Sequence, residues 1–291
     1  MGRRVLYLHG VGERVRGGRW RSALDRALAS HGLAPLRQGE DLLVPDYVDL
    51  LAGDRVLPVP PACEPTYDAV GAAAARGAFM VERQRLADVL GAPVAGRHLV
   101  PSPVYEAGRH LWGAVSASMR HVEHYRRDPA LRHRVLDRVL TGLDARARPA
   151  TGDDDEVVVL AHSLGSLVAL DLLPHLPAGV RVPRLVTLGS PAGWPSLHRG
   201  PGRTQASFPY DRVGSWVNLH SPRDLVPLGR GSARLFPAAV DLPVRLPPAR
   251  HGAELYLGVP AVARVLADAL GVLPPGPDRG VLAAGATREA G

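Results

Sequence analysis

The sequence predicts an α/β fold in which a mostly parallel central sheet carries helices on both faces. Three observations predict it. Short apolar runs rich in β-branched residues recur at Arg4-Val5-Leu6-Tyr7-Leu8, Val157-Val158-Val159-Leu160 and Ser215 to His220, as suits strands buried on both sides. Helical periodicity separates such runs, as at Trp20, Leu24, Leu28 and His31. The run at 157–160 passes into a helix-like stretch, Ser166 to Leu176, through Ala161-His162-Ser163-Leu164-Gly165, where small residues leave room for a tight strand-to-helix turn.

Taken in order, the first strand ends in the glycine-rich turn His9-Gly10-Val11-Gly12, and the first crossover helix stops at Gly32. Leu42 to Leu51 reads as the next strand and its exit. Two strand-helix-strand units of about 30 residues each would span about 60 residues. Ser163 lies much further from Leu8 than that. An insertion over residues 54–127 accounts for the excess: a proline-rich connector from Pro58 to Pro65, an alanine-rich helical stretch from Tyr67 to Leu90, a break at Gly91-Ala92-Pro93, then Trp112, Val115, Met119 and Val122 on one helical face. Such an excursion reads as a helical cap, whose apolar stripe either lines an acyl or alkyl pocket or simply packs onto the sheet.

Asp128-Pro129 then starts a helix by side-chain capping with proline at its first position, and Leu131, Val135, Val139 and Leu143 carry it towards the strand before Ser163. After the strand Ser215 to His220, Val244 and Leu246 alternate in another short strand, and a last helix follows His251. From Pro274 the chain reads as a flexible tail. The expected organisation is one domain over 1–273 and a tail over 274–291.

Composition sets the limits. With 291 residues and 46% hydrophobic content the chain can bury a large core. It has no lysine and no isoleucine, and its only asparagine is Asn218, a coding bias rather than a chemical one. All 35 basic residues are arginines, scattered without an aromatic-interleaved stripe, so the pI of 10.2 does not indicate nucleic-acid binding. The lone Cys63 permits no intramolecular disulfide. The N-terminal apolar run is too short for a signal-peptide core, and no segment reaches membrane-spanning length. The expectation is a cytoplasmic protein.

The chemistry centres on Ser163. A serine on such a turn acts as a nucleophile only with a base, an orienting acid and an oxyanion hole. In chain order, Asp224 sits in Ser221-Pro222-Arg223-Asp224-Leu225-Val226-Pro227, just past a strand end, and His251 precedes the last helix. Asp211 and Asp241 compete as acids; Asp211 precedes that strand, and Asp241 lies in the proline-rich approach to the next one. The turn after the first strand can aim the Val11 amide at a developing oxyanion, beside the amide of Leu164. That turn lacks the G-x-G-x-x-G register of a dinucleotide site. His9 reads as structural, and strand alternation points His162 away from the hydroxyl. His220 and His198 are the alternatives to His251. Asp153-Asp154-Asp155-Glu156 reads as a solvated loop rather than a metal cluster. His121 and His124 lack the glutamate of a zinc-protease motif. No metal or organic cofactor is expected.

With these residues assembled, the chain resembles the α/β-hydrolase superfamily, especially its lipase- and esterase-like members. The resemblance rests on L-H-G-V-G at 8–12, V-L-A-H-S-L-G-S at 159–166, L-V-T-L-G-S-P at 185–191, D-L-V-P at 224–227 and H-G-A-E-L-Y at 251–256. The elbow pattern G-x-S-x-G is met with Ala161 at its first position. The likeness covers the first fifty residues and roughly 150–270, not the middle. It implies a serine hydrolase that cleaves an ester or thioester of a small-molecule or lipid-like acyl substrate, with Ser163, His251 and Asp224 as triad and the Val11 and Leu164 amides as oxyanion hole. A peptidase or amidase would use the same residues. A catalytically silent, hydrolase-like interaction module is the reading from another class.

Overall fold

Strands joined only in parallel need long crossovers, and the chain supplies helices for them. The computed structural model describes residues 3–12, 18–51, 66, 68–92, 120–144, 155–198 (the side chains of 196 and 198 excepted) and 208–271. Among them run strands β1 (Arg4–Leu8), β2 (Leu42–Leu43), β3 (Asp155–His162), β4 (Val180–Arg181), β5 (Leu185–Leu188), β6 (Trp216–His220) and β7 (Ala239–Pro243). They form one sheet of order β2-β1-β3-β5-β6-β7, with β4 paired to the start of β3. Every pairing is parallel. The helices are α1 (Arg19–Ala29), α2 (Val48–Leu51), α3 (Ala69–Leu90), α4 (residues 120–127), α5 (Pro129–Asp144), α6 (Leu164–Leu172), α7 (Ala253–Leu257) and α8 (Pro260–Ala269). This is coarsely the topology of an α/β hydrolase.

The pleat sends alternate side chains of each strand into two separate cores. Leu6, Leu8, Val157, Val159, Ala161 and Trp216 face the α5 and α6 side. Val5, Tyr7, Val158, Leu160, Val217 and Leu219 face α1, α7 and α8. This double burial is why the strands read as continuous apolar runs. α3 spans both cores at the β7 edge: Phe79 joins the first, Leu86 and Leu90 the second, and Arg83 Nε donates to Ala239 O at 3.2 Å. It covers an edge that would otherwise present unpaired backbone groups.

Local signals explain the helix ends. The Asp68 carboxylate accepts from Val70 N and caps α3, and Gly91 closes it in the left-handed conformation at φ 61°. Asp128 Oδ1 accepts from Leu131 N at 3.0 Å at the head of α5. Bonding from the Leu131 and Ala130 amides holds the Asp128 carboxyl below the usual aspartate range. Asp155 and Glu156, which the sequence assigns to a solvated loop, begin β3 and pair with Arg4 and Arg3.

Two boundaries differ from expectation. Leu42 to Leu51 is a two-residue strand followed by a short helix, because Pro45 ends the strand and the Asp46 carboxylate accepts from Val48 N to start α2. The last strand is Ala239–Pro243, so Asp241 lies within it rather than before it. Val244 only prolongs the ladder, donating to His220 O at 2.9 Å. Of the segment 54–127, α3 and α4 are described; the connector, Trp112, Val115 and Met119, like the tail from Pro274, fall outside the described residues.

Candidate functional site

Ser163 is the single residue between β3 and α6. Its backbone stands at φ 53°, ψ −122°, a conformation L-residues rarely adopt and one that costs on the order of 1–3 kcal/mol. The flanking backbone holds it there: Ser163 N donates to Leu188 O at 3.0 Å, and Ser166 N donates to Ser163 O at 3.0 Å. Close packing demands the small neighbour, since a Cβ on Gly165 would run into the Leu8 and His9 carbonyls. Gly165 therefore sets α6 directly against the turn after β1. Leu164 is the first residue of α6, so its N–H has no acceptor within its own helix. Val11 lies in that neighbouring turn, which Tyr47 braces by donating to His9 O at 2.6 Å while its ring stacks on the His9 imidazole at 4.0 Å.

At the end of β6 the chain turns through Ser221 into Asp224, whose side chain is wholly buried. Asp224 Oδ1 accepts from Val226 N at 2.9 Å. Its Oδ2 accepts twice, from Tyr256 Oη at 2.6 Å and from His251 Nδ1 at 2.7 Å. A carboxylate there fixes the imidazole tautomer with the proton on Nδ1, leaving Nε2 as the basic nitrogen. The two loops are also tied through the backbone, where Ala249 N donates to Arg223 O at 3.0 Å. Burial, then the charge of Asp224, push the Tyr256 phenol far above its ordinary range, so it stays a donor.

Two elements seat the His251 ring. Gly189, at φ 54°, lies so close that a Cβ there would stand 2.9 Å from His251 Cε1 and from the Tyr256 ring. His162 Nε2 donates to His251 O at 2.9 Å, with the two imidazoles 4.8 Å apart. The residues that seat His251 are chain neighbours of Ser163 and of its partner: His162 precedes Ser163 at the end of β3, and Gly189 follows Leu188, the last residue of β5, which accepts the Ser163 N–H. Ser163 and Asp224 are 3% and 2% exposed, so the hydroxyl and the acid sit below the surface at the C-terminal edge of the sheet.

The competing acids are placed elsewhere. Asp241 accepts from Asn218 Nδ2 and Ser232 N at 2.8 Å each, and from Ala233 N at 3.0 Å. Asp211 lies in the turn before β6, where its carbonyl meets Arg181. His220 ends β6, buried. Among the described residues no group of three or more His, Cys, Asp or Glu side chains could hold a metal ion. No helix among them is long and apolar enough to cross a membrane.

Sequence reasoning gave no role to Tyr256, Gly189 or His162. The first two stand in motifs already singled out, but nothing local reveals that the phenol reaches an aspartate 32 residues earlier. His162 does point to the face opposite Ala161, and His251 is seated on that same face. No protein-family model matches the chain, and no curated protein matches it.

Proposed function

We propose that this protein is a serine hydrolase that cleaves a carboxylic ester or thioester through an acyl-enzyme intermediate. The reading is supported by two observations, the strained backbone of Ser163 between β3 and α6 and the buried Asp224–His251 pair. Ser163 Oγ attacks the acyl carbonyl as its proton passes to His251 Nε2, and Asp224 stabilises the resulting imidazolium. The Val11 and Leu164 amides receive the oxyanion. Collapse of the tetrahedral intermediate expels the alcohol or thiol, which takes its proton from His251. Water then repeats the sequence on the acyl-enzyme, releasing the acid and restoring Ser163.

The same geometry serves amide cleavage, which differs only in the leaving group. Turnover of a panel of p-nitrophenyl esters, an acyl thioester and a p-nitroanilide, by wild type and Ser163→Ala, tests the reading. Hydrolysis of an ester or thioester that vanishes in the variant is the expected result. Turnover confined to the anilide would move the assignment to an amidase, and equal turnover by the variant would end the serine mechanism.

A further inference from the structure

Asp224 Oδ2 receives two donors, His251 Nδ1 and the Tyr256 phenol, within 0.1 Å of the same distance. The phenol is itself fixed. Tyr256 is completely buried on α7, its oxygen accepts from Ser221 N at 3.1 Å, and its ring edge packs against His251 at 6.3 Å between centroids. Ser221 opens the turn that carries Asp224, so one phenol clamps both the backbone and the carboxylate of the acid loop. We propose that Tyr256 is a positioning residue of the Ser163-His251-Asp224 triad, whose phenol holds Asp224 Oδ2 in place and shares that oxygen with His251. The proposal rests on the hydrolase reading above.

Sharing has a chemical consequence. A donor to a buried carboxylate stabilises its charge and lowers the attraction that the same oxygen exerts on a protonated imidazole. Tyr256 therefore favours the neutral, basic form of His251 at lower pH than Asp224 alone would. The other groups around His251 are His162 on β3, the flanking Arg250, Arg223 across the loop tie, and Glu254 on α7, which lies over Gly252 and pairs with Arg19 at 3.5 Å. Substituting Tyr256 alters none of these charges.

The test follows kcat, KM and the rate of fluorophosphonate labelling against pH for wild type, Tyr256→Phe and a protein carrying 3-fluorotyrosine at 256. Tyr256→Phe should lower kcat by about tenfold with KM little changed, and move the acidic limb upward by about half a pH unit. The fluorinated phenol is a stronger donor of nearly the same size, and it should move that limb downward. A purely structural role would lower the rate and leave the limb fixed in both proteins, which would overturn the proposal. Should Tyr256→Phe fail to fold, the direction of the shift in the fluorinated protein decides alone. A wild type that neither labels nor turns over would instead overturn the hydrolase reading, and this proposal with it.

Discussion

Two aspartates, the buried Asp224 just past β6 and the half-buried Asp241 in the middle of β7, illustrate how the partners of a carboxylate set its chemistry. Asp241 closes a brace: Trp216 Nε1 donates to Thr187 Oγ1, Thr187 Oγ1 donates to Asn218 Oδ1, Asn218 Nδ2 donates to Asp241, and the amides of Ser232 and Ala233 complete it. Its partners are backbone amides and an uncharged amide side chain, none of which titrates. Asp224 also accepts a backbone amide, but it spends its second oxygen on a phenol and an imidazole. What separates a structural carboxylate from a candidate catalytic one is the nature of its partners, since among them only an imidazole readily gains and loses a proton near neutral pH.

Substitutions can break this contrast, and the largest effect belongs to the imidazole. His251→Ala should lower turnover by about 10⁴- to 10⁶-fold, measured with the best ester of the panel. Next come the two carboxylates, exchanged for asparagine in parallel. Asp224→Asn should cost about 10³- to 10⁴-fold in kcat through the wrong tautomer and a weaker imidazolium partner. Asp241→Asn should cost about 1–3 kcal/mol of stability by denaturant unfolding, from backbone donors turned towards an NH₂ group, with kcat changed only a few-fold. Reversal of the two outcomes would exchange the roles assigned here.

Each aspartate region also has a glycine against it. A Cβ on Gly189 presses on His251, whereas one on Gly231 runs into the Asp241 carboxylate. Gly189→Ala should lower kcat by about 100-fold by displacing the imidazole, and Gly231→Ala should lower the unfolding midpoint while sparing catalysis. The smallest effect lies far from both. Asp128→Ala removes the α5 cap and should cost about 1 kcal/mol. Because the folded Asp128 is shifted below its unfolded value of about 3.9, the wild-type advantage holds above that pH and closes as pH falls through the folded value. Unfolding curves of the two proteins from pH 2 to 7 check the convergence.

The contrast also marks what the sequence could disclose. β1, α1, the Asp128 cap and the strand-Ser163-helix turn were legible because apolar runs, capping residues and small neighbours act within a few positions. The approach of Asp224 to His251 was legible from chain order. Asp241 was misplaced because aspartate is disfavoured in strands, and its tolerance depends on Asn218 and on amides that arrive only when the loop before β7 folds back. Tyr256 escaped for a similar reason: a buried tyrosine on an amphipathic helix looks like core until its hydroxyl is seen to end on a carboxylate. His162 shows a third case. Alternation places it on the face opposite Ala161, but does not disclose that the loop carrying His251 is anchored there.

The most direct test of the central claim is a mass spectrum. Intact protein incubated with a fluorophosphonate should gain one adduct, and peptide mapping should place it on Ser163, with none formed by Ser163→Ala. An unmodified wild type, or an adduct mapped to any other residue, would contradict the assignment of Ser163 as nucleophile.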